Sequence, residues 1–354
     1  MEGDLSRTDA VWSAQDTTPG AIEANLRKLL FEQHAENPQW VPARVVNLVV
    51  IVDARWSGEI ANRLARTGRY HPSRTIVLAV EPERTTLEAH VKLVADVAEE
   101  KPGELALTFE NVIVHVGERH LPHLANIVDP LVVTDLATLV WAPHGHDAAV
   151  DALLELSQVV LLDSVDEPEV ADGLGRAREL ADSAYVVDLA WLRSTPWRER
   201  LAATFDPPRL RPDLHTISRM GIRHHPDSEA AAMLLVGWMA ARLDWQPSRL
   251  HGGKGKAHGH RQDVVIDLEP APEQSTRGLA SVEIETASGR WLCLERGPGG
   301  LHARYKHRRG TEREWTVLGA SRGEAGILGE GIRQALLRDP TYKPALEKAT
   351  ALAG

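Results

Sequence analysis

The segment Gly319-Ala320-Ser321-Arg322-Gly323 spells G-x-S-x-G between an alternating apolar stretch and a helical one. In that setting a sharp turn can expose a serine hydroxyl as a nucleophile. Chain order argues against this use. An α/β-hydrolase carries its acid and then its histidine after the serine, and the last histidine here is His307. Ser321 with Glu324 is equally an S-x-x-E capping box that opens a final helix.

Sixteen histidines raise the question of a metal. The candidate groupings are His144-x-His146, His224-His225, and His251 with His258-x-His260. None sits in the H-E-x-x-H helical frame of a zinc enzyme. The third lies among glycines and lysines, whose charge repels a cation. No metal site and no cofactor are therefore expected. A single cysteine, Cys293, excludes an intrachain disulfide and any multi-thiolate centre.

His302, Arg304, Lys306 and Arg308 alternate along one predicted strand, with Leu301, Ala303 and Tyr305 on its other face. One reading is an anion site for a phosphorylated sugar or a nucleotide, serving an enzyme or a sensor. The other is a solvated sheet face balanced by cross-strand acids such as Glu283, Glu285 and Glu295. No second basic element or aromatic platform accompanies the strand, so nucleic acid is not an expected partner.

These residues need elements to hold them. Thr18-Pro19 predicts a helix start, with Ile22, Leu26, Leu29 and Leu30 as its apolar stripe. The apolar run Val45–Val52, a helix carrying Ile60 and Leu64, and a second run Thr75–Val80 form a βαβ-like unit without the G-x-G-x-x-G fingerprint. Alternating stretches at 89–97 and 105–116 predict antiparallel strands, and short strands at 138–141 and 159–163 resume the α/β rhythm. Beyond Pro168 come a glycine-interrupted helix, the stretch Tyr185–Trp191, and a helix capped by Thr195-Pro196 with Trp197, Leu201 and Phe205 on one face. A helix over 228–244 is followed by a loop at 248–262 and an antiparallel meander at 263–268, 281–287, 290–296, 301–308 and 314–319. The expected architecture is α/β: a mixed N-terminal domain over 19–166 and an α+β C-terminal domain with a meander sheet over 167–340. Residues 1–18 are expected to be a flexible start and 341–354 a tail.

The 354 residues carry 50 acids and 40 bases, a formal charge of -10. The deficit lies in the first half: residues 1–166 hold 25 acids and 13 bases, and no lysine or arginine occurs between Arg119 and Arg176. This opposes a general nucleic-acid binder, whose footprint is basic. The longest uncharged apolar run, Ala230–Ala241, is short of the roughly 20 residues that a membrane span needs. The start has no basic and apolar leader pattern, so a soluble cytoplasmic protein is expected. Ten tryptophans against three phenylalanines suggest core anchors at element ends, with a minority at an interface.

The string Asp188-Leu189-Ala190-Trp191-Leu192-Arg193-Ser194-Thr195-Pro196-Trp197-Arg198-Glu199, closing at Phe205-Asp206, resembles the signature of the glucose-6-phosphate dehydrogenase assembly protein (OpcA) family. Other segments agree in the same order: Ser73-Arg74-Thr75, Pro130-Leu131 through Asp135-Leu136 to Trp141, Asp163-Ser164, and the Arg-Leu-x-Trp ending at Trp245. The resemblance runs from about residue 20 to 336. It implies a non-catalytic factor that assembles and activates glucose-6-phosphate dehydrogenase, the NADPH-producing entry to the oxidative pentose phosphate pathway. The family's middle motif reads D-L-P followed by two tryptophans. Here Ala137 replaces the proline and Ala142 follows the single Trp141, which would alter a partner contact made there. The signature residues Arg74, Asp135, Trp141, Asp163, Ser164, Asp188, Trp191, Thr195, Pro196, Trp197 and Arg198 are either partner contacts or core. Asp147, Asp151 and Glu155, in the cation-free stretch, are candidates for an acidic docking surface on the dehydrogenase.

Overall fold

The computed structural model describes residues 10–68, 72–96, 106–307, 310, 312–318 and 324–354. Contacts divide the chain into two compact units, one ending at Leu161 and the other starting at Leu162.

The first unit contains β1 (Ala10–Thr17), α1 (Pro19–Glu36), β2 (Trp40–Pro42), β3 (Val46–Asp53), α2 (Ser57–Gly68), β4 (Ser73–Val80), β5 (Leu87–Asp96), β6 (Ala106–Val116), α3 (Leu124–Val128), β7 (Thr138–Trp141), α4 (Asp147–Asp151) and β8 (Val159–Leu162). Its sheet runs β1-β5-β6-β4-β3-β7-β8, with β2 beside β6. The centre is parallel, whereas β5 is antiparallel to both β1 and β6. Burial explains the composition. β3 and β4 are covered on both faces, so Leu48 to Val52 and Ile76 to Val80 are uniformly apolar and nearly inaccessible. Thr18 caps α1 by accepting from the Ala21 N–H at 3.3 Å, and Ile22 and Leu26 form its buried stripe.

The second unit contains α5 (Val170–Leu180), β9 (Tyr185–Asp188), α6 (Leu189–Arg193), α7 (Thr195–Phe205), β10 (Ile217–His224), α8 (Glu229–Leu243), β11 (Gln246–Pro247), β12 (Lys254–His258), β13 (Asp263–Pro270), β14 (Leu279–Thr286), β15 (Arg290–Gly297), β16 (Gly300–His307), β17 (Arg313–Leu318), α9 (Glu324–Leu337) and α10 (Tyr342–Ala353). Its sheet runs β11-β12-β13-β10-β14-β15-β16-β17 and is antiparallel except where β10 meets β13. α8 packs on the face carrying Met220, Ile222, Ile266, Leu268, Val282, Ile284, Leu292 and Leu294, all buried. Among the described residues no helix is long and apolar enough to cross a membrane.

Four expectations change. The polar start predicts a frayed end over 1–18, yet Ala10–Thr17 is β1, paired to β5 with Ala10, Trp12 and Ala14 alternating inward; residues 1–9 lie outside the described residues. Residues 341–354 are not a tail. They form α10, whose Tyr342, Ala345, Leu346, Ala349 and Leu352 are buried. The segment 248–262 is not all loop, because Gly252 and Gly253, at φ 56° and 78°, turn the chain back so that β12 pairs with β11, and a second turn at 259–262 pairs β12 with β13. The stretch Tyr185–Trp191 is divided between a strand and a helix, since Asp188 ends β9 and caps α6.

Candidate functional site

The signature string folds into a buried ionic cluster. Asp188 is inaccessible to solvent. Its Oδ1 accepts the Ser164 N–H at 3.1 Å and the Ala190 N–H at 2.9 Å, and Tyr342 donates its hydroxyl to Oδ2 at 3.1 Å. Burial, with the neighbouring Asp163 charge, pushes the Asp188 carboxyl up to about 6. The same burial, and the Asp188 charge, raise the Tyr342 phenol well above its ordinary value. Arg193, in the last turn of α6, meets Asp163 through two parallel hydrogen bonds of 2.8 and 2.6 Å. That fork-to-fork geometry belongs to the stronger class of charged hydrogen bonds. Arg277 extends the group by pairing with Asp166 at 2.7 Å.

The second half of the signature is equally internal. The Arg198 guanidinium lies 3.4 Å from the Trp191 ring centroid, a cation–π contact. It donates to Ser194 Oγ at 3.1 Å and Thr195 Oγ1 at 2.9 Å, and its Nη1 lies 3.6 Å from Asp339. Burial lowers the Arg198 pKa to about 10. The Trp191 indole N–H donates to Asp339 Oδ2 at 2.9 Å. Burial alone would raise the Asp339 carboxyl, but hydrogen bonds from Thr341 and Trp191 and the Arg198 charge hold it below its usual value. Thr195 and Pro196 are half-buried, and Trp197 is core with Leu201 and Phe205.

In the first unit Arg74 pairs with the buried Glu110 at 2.5 Å and donates to the Leu131 carbonyl at 2.9 Å. Two of the motif segments, Ser73-Arg74-Thr75 and Pro130-Leu131, therefore touch. Trp141 is buried, with Arg63 over its ring at 5.4 Å. Asp135 is exposed. Ser164 is buried and meets Asp188 through its backbone N–H. Asn47, Glu110, Arg193, Asp339 and Tyr342 complete these networks and were not candidates from sequence. For Asn47 a signal existed: it is one amide inside the apolar run of β3, and it clamps Val133 N–H at 2.9 Å and Val133 C=O at 3.0 Å.

In an open α/β sheet ligands favour the strand ends where the order reverses, here between β3 and β7. The loops at those ends bring His146 Nε2 to 3.0 Å from Asp53 Oδ1 and stack Trp56 on His144 with centroids 5.5 Å apart. Gly145 and His146 both sit at positive φ, 94° and 67°. The start of α2 does not suit a pyrophosphate: Asp53 precedes it and Glu59 lies in its first turn, so both would repel the anion. Among the described residues no group of three or more His, Cys, Asp or Glu could hold a metal ion.

The basic strand is β16. His302 pairs across to Glu295 on β15 and to Thr316 on β17, where its Nδ1 lies 2.9 Å from Thr316 Oγ1. Arg304 is 3.6 Å from Glu295, stands opposite Glu314 and has its guanidinium 5.4 Å from the Trp291 centroid. Lys306 is exposed opposite Trp291. Arg308 and the G-x-S-x-G segment at 319–323 lie outside the described residues. Among the described residues, acidic neighbours thus flank His302 and Arg304. Asp147, Asp151 and Glu155 are exposed at four-residue spacing on α4 and the 3-10 turn after it.

Fold and site together define a two-unit α/β protein most of whose motif residues are buried and take part in internal hydrogen-bond and ion-pair networks. Residues 61–179 match the family profile described as the glucose-6-phosphate dehydrogenase subunit N-terminal domain, and 184–346 the one described as its C-terminal domain. The chain belongs to the OpcA family of glucose-6-phosphate dehydrogenase subunit and assembly proteins. Curated relatives, each called a putative OxPP cycle protein OpcA, come from Synechocystis sp. (26% identical over 211 residues) and Synechococcus elongatus (29% over 194). These alignments cover 58% and 52% of this chain, and the chain spans only 43% of each relative's length. A solved scyllo-inositol dehydrogenase from Lactobacillus casei aligns over 88% of this chain and 96% of its own, with 12% identity and a TM-score of 0.43. That likeness is too low to carry an argument.

Proposed function

We propose that this protein is a non-catalytic assembly factor and allosteric activator of glucose-6-phosphate dehydrogenase in the cytoplasm. Matches to both subunit domains, in order along one chain, carry the reading. The chemistry of the signature supports it. Asp188 is spent as a buried helix cap, Arg193 on Asp163, and Arg198 on Trp191 and Asp339. Such a factor works by binding the active oligomer more tightly than other forms, which shifts population by the difference in affinity. The exposed acids Asp147, Asp151 and Glu155 then offer an electrostatic docking face.

The test is a titration of the purified chain into glucose-6-phosphate dehydrogenase from the same source, following activity and complex mass together. A saturable rise in both is expected. If neither changes, the reading is wrong.

A further inference from the structure

The face of the second unit's sheet opposite α8 carries an ordered charge pattern, strand by strand. β12 presents Lys254, Lys256 and His258; β13 presents Asp263, Val265, Asp267 and Glu269; β10 presents Arg219 and Arg223. β14 presents Glu283 and Glu285, β15 presents Trp291 and Glu295, β16 presents His302, Arg304 and Lys306, and β17 presents Glu314. In sheet order from β12 to β17 the columns are basic, acidic, basic, acidic, acidic, basic and acidic, and most of their side chains are open to solvent: Lys254 is 68% exposed, Arg219 42%, Arg304 41% and Glu295 52%.

We infer that this face binds a second copy of the chain, face to face, about a twofold axis running along β14. The pattern itself selects the axis. A twofold in the sheet plane but perpendicular to the strands would set each column on itself, like charge on like. A twofold along β14 keeps every cross-strand row and exchanges β10 with β15, β13 with β16 and β12 with β17, following the strand order. In the row Lys254–Asp267–Gly221–Glu283–Cys293–Arg304–Glu314, Lys254 then meets Glu314 of the other copy and Asp267 meets Arg304. In the row Arg219–Glu285–Trp291, Arg219 meets the Trp291 ring, a cation–π pair formed twice. In the row Glu269–Arg223–Ser281–Glu295–His302, Arg223 meets Glu295 and Glu269 meets His302. Off the axis, Lys254, Asp267, Arg304, Glu314, Arg223 and Glu295 each face an opposite charge, Arg219 faces an arene, Glu269 a histidine and Lys306 the apolar Val265.

Size and shape agree. Strands about 4.8 Å apart and five to eight residues long give the face roughly 700 Å², near the ~800 Å² per partner of a standard interface. At the centre Gly221 leaves open space, since a Cβ there would meet only Glu283 Cβ at 3.8 Å. Glu283 and Glu285, on the axis, face their own kind, and Arg219 lies 3.3 Å from Glu285 to offset part of that repulsion.

The inference does not involve the dehydrogenase, and its test uses the full chain alone. Sedimentation equilibrium at about 50 µM should give twice 38.9 kDa, because a dimer's stability rises with protomer concentration. The variant Lys254→Glu/Arg304→Glu sets four like-charge contacts in its homodimer, and so does Asp267→Lys/Glu314→Lys. Each should weaken association at least about tenfold. An equimolar mixture turns all four contacts attractive and should restore the dimer. Glu283→Gln, which removes like charges on the axis, should tighten it. If a double variant fails to fold, Lys254→Glu and Glu314→Lys, single changes at exposed positions, make the same swap. A monomeric wild type, variants that dimerise like the wild type, or a mixture that stays monomeric would each overturn the inference.

Discussion

Asp188 shows what a signature residue does when it is buried. Its carboxyl titrates at about 6 against 3.8 for the ordinary group, first because burial penalises the anion and then because Asp163 lies near. Between these values the folded protein keeps a proton that the unfolded chain has released, so stability falls as pH rises from about 4 to 6. A shift of some two units corresponds to roughly 3 kcal/mol. Asp188→Asn keeps an acceptor for the Ser164 and Ala190 N–H groups but cannot ionise. In urea unfolding, wild type should lose up to about 3 kcal/mol relative to this variant between pH 4 and pH 7. A constant difference across that range would show that the fold does not raise the Asp188 carboxyl above its ordinary value. Arg193→Met should be harsher, costing about 3–5 kcal/mol, because it takes the two-bond partner from the buried Asp163 carboxylate and leaves it the longer Arg277 contact of 3.9 Å. Adding Asp163→Asn should recover part of that loss, which a double-mutant cycle would measure. The sequence marks Asp188, Trp191 and Arg198 as a unit through the signature alone. It does not show that Asp339 and Tyr342, some 150 residues on, complete that unit, because a hydrogen bond across such a separation leaves no local pattern.

Elements were legible where their own periodicity reports burial. The unbroken runs of β3 and β4 and the meander from β13 to β17 follow directly from alternation and turn residues. β10 is harder to place: it enters the sheet between β13 and β14, ahead of both in the chain, and nothing local encodes that insertion. β12 hides in glycine and lysine, its one inward side chain of any size being Ala257. α10 does carry a stripe, but a composition of alanines and short side chains makes it look like a tail. Its importance comes from α8, where a Cβ on Gly237 would lie 2.2 Å from the Ala345 carbonyl oxygen and 2.9 Å from the Ala349 nitrogen. The two helices cross backbone to backbone, and only glycine permits it. Gly237→Ala should therefore destabilise the second unit by about 1–3 kcal/mol despite the gain in helix propensity. Hydrogen exchange should show α10 losing protection first. An unchanged or raised melting temperature would mean that the crossing is looser than this geometry.

Across the whole chain, the charge deficit that first argued only against nucleic acid acquires a location. The interval from Arg119 to Arg176 holds acids and no lysine or arginine, and within it Asp147, Asp151 and Glu155 are exposed at four-residue spacing. Exposed charges contribute little to stability, so a surface built this way has more effect on encounter than on folding. If it guides docking to the dehydrogenase, replacing all three acids with lysine should leave the melting temperature within a degree or so, by the small worth of surface charge. Association should slow by about tenfold or more at low salt, as expected when electrostatic steering is removed. Wild-type association should fall steeply as ionic strength rises and the Debye length shrinks to about 8 Å at physiological salt. The triple variant's dependence should be flat or reversed. Stopped-flow mixing over a salt series separates the outcomes. Equal rates and equal salt slopes would return these acids to solvation, while the activation titration would still judge the assembly role. A slower rate with unchanged final affinity would identify these three acids as a guide to encounter and leave the final grip to another surface.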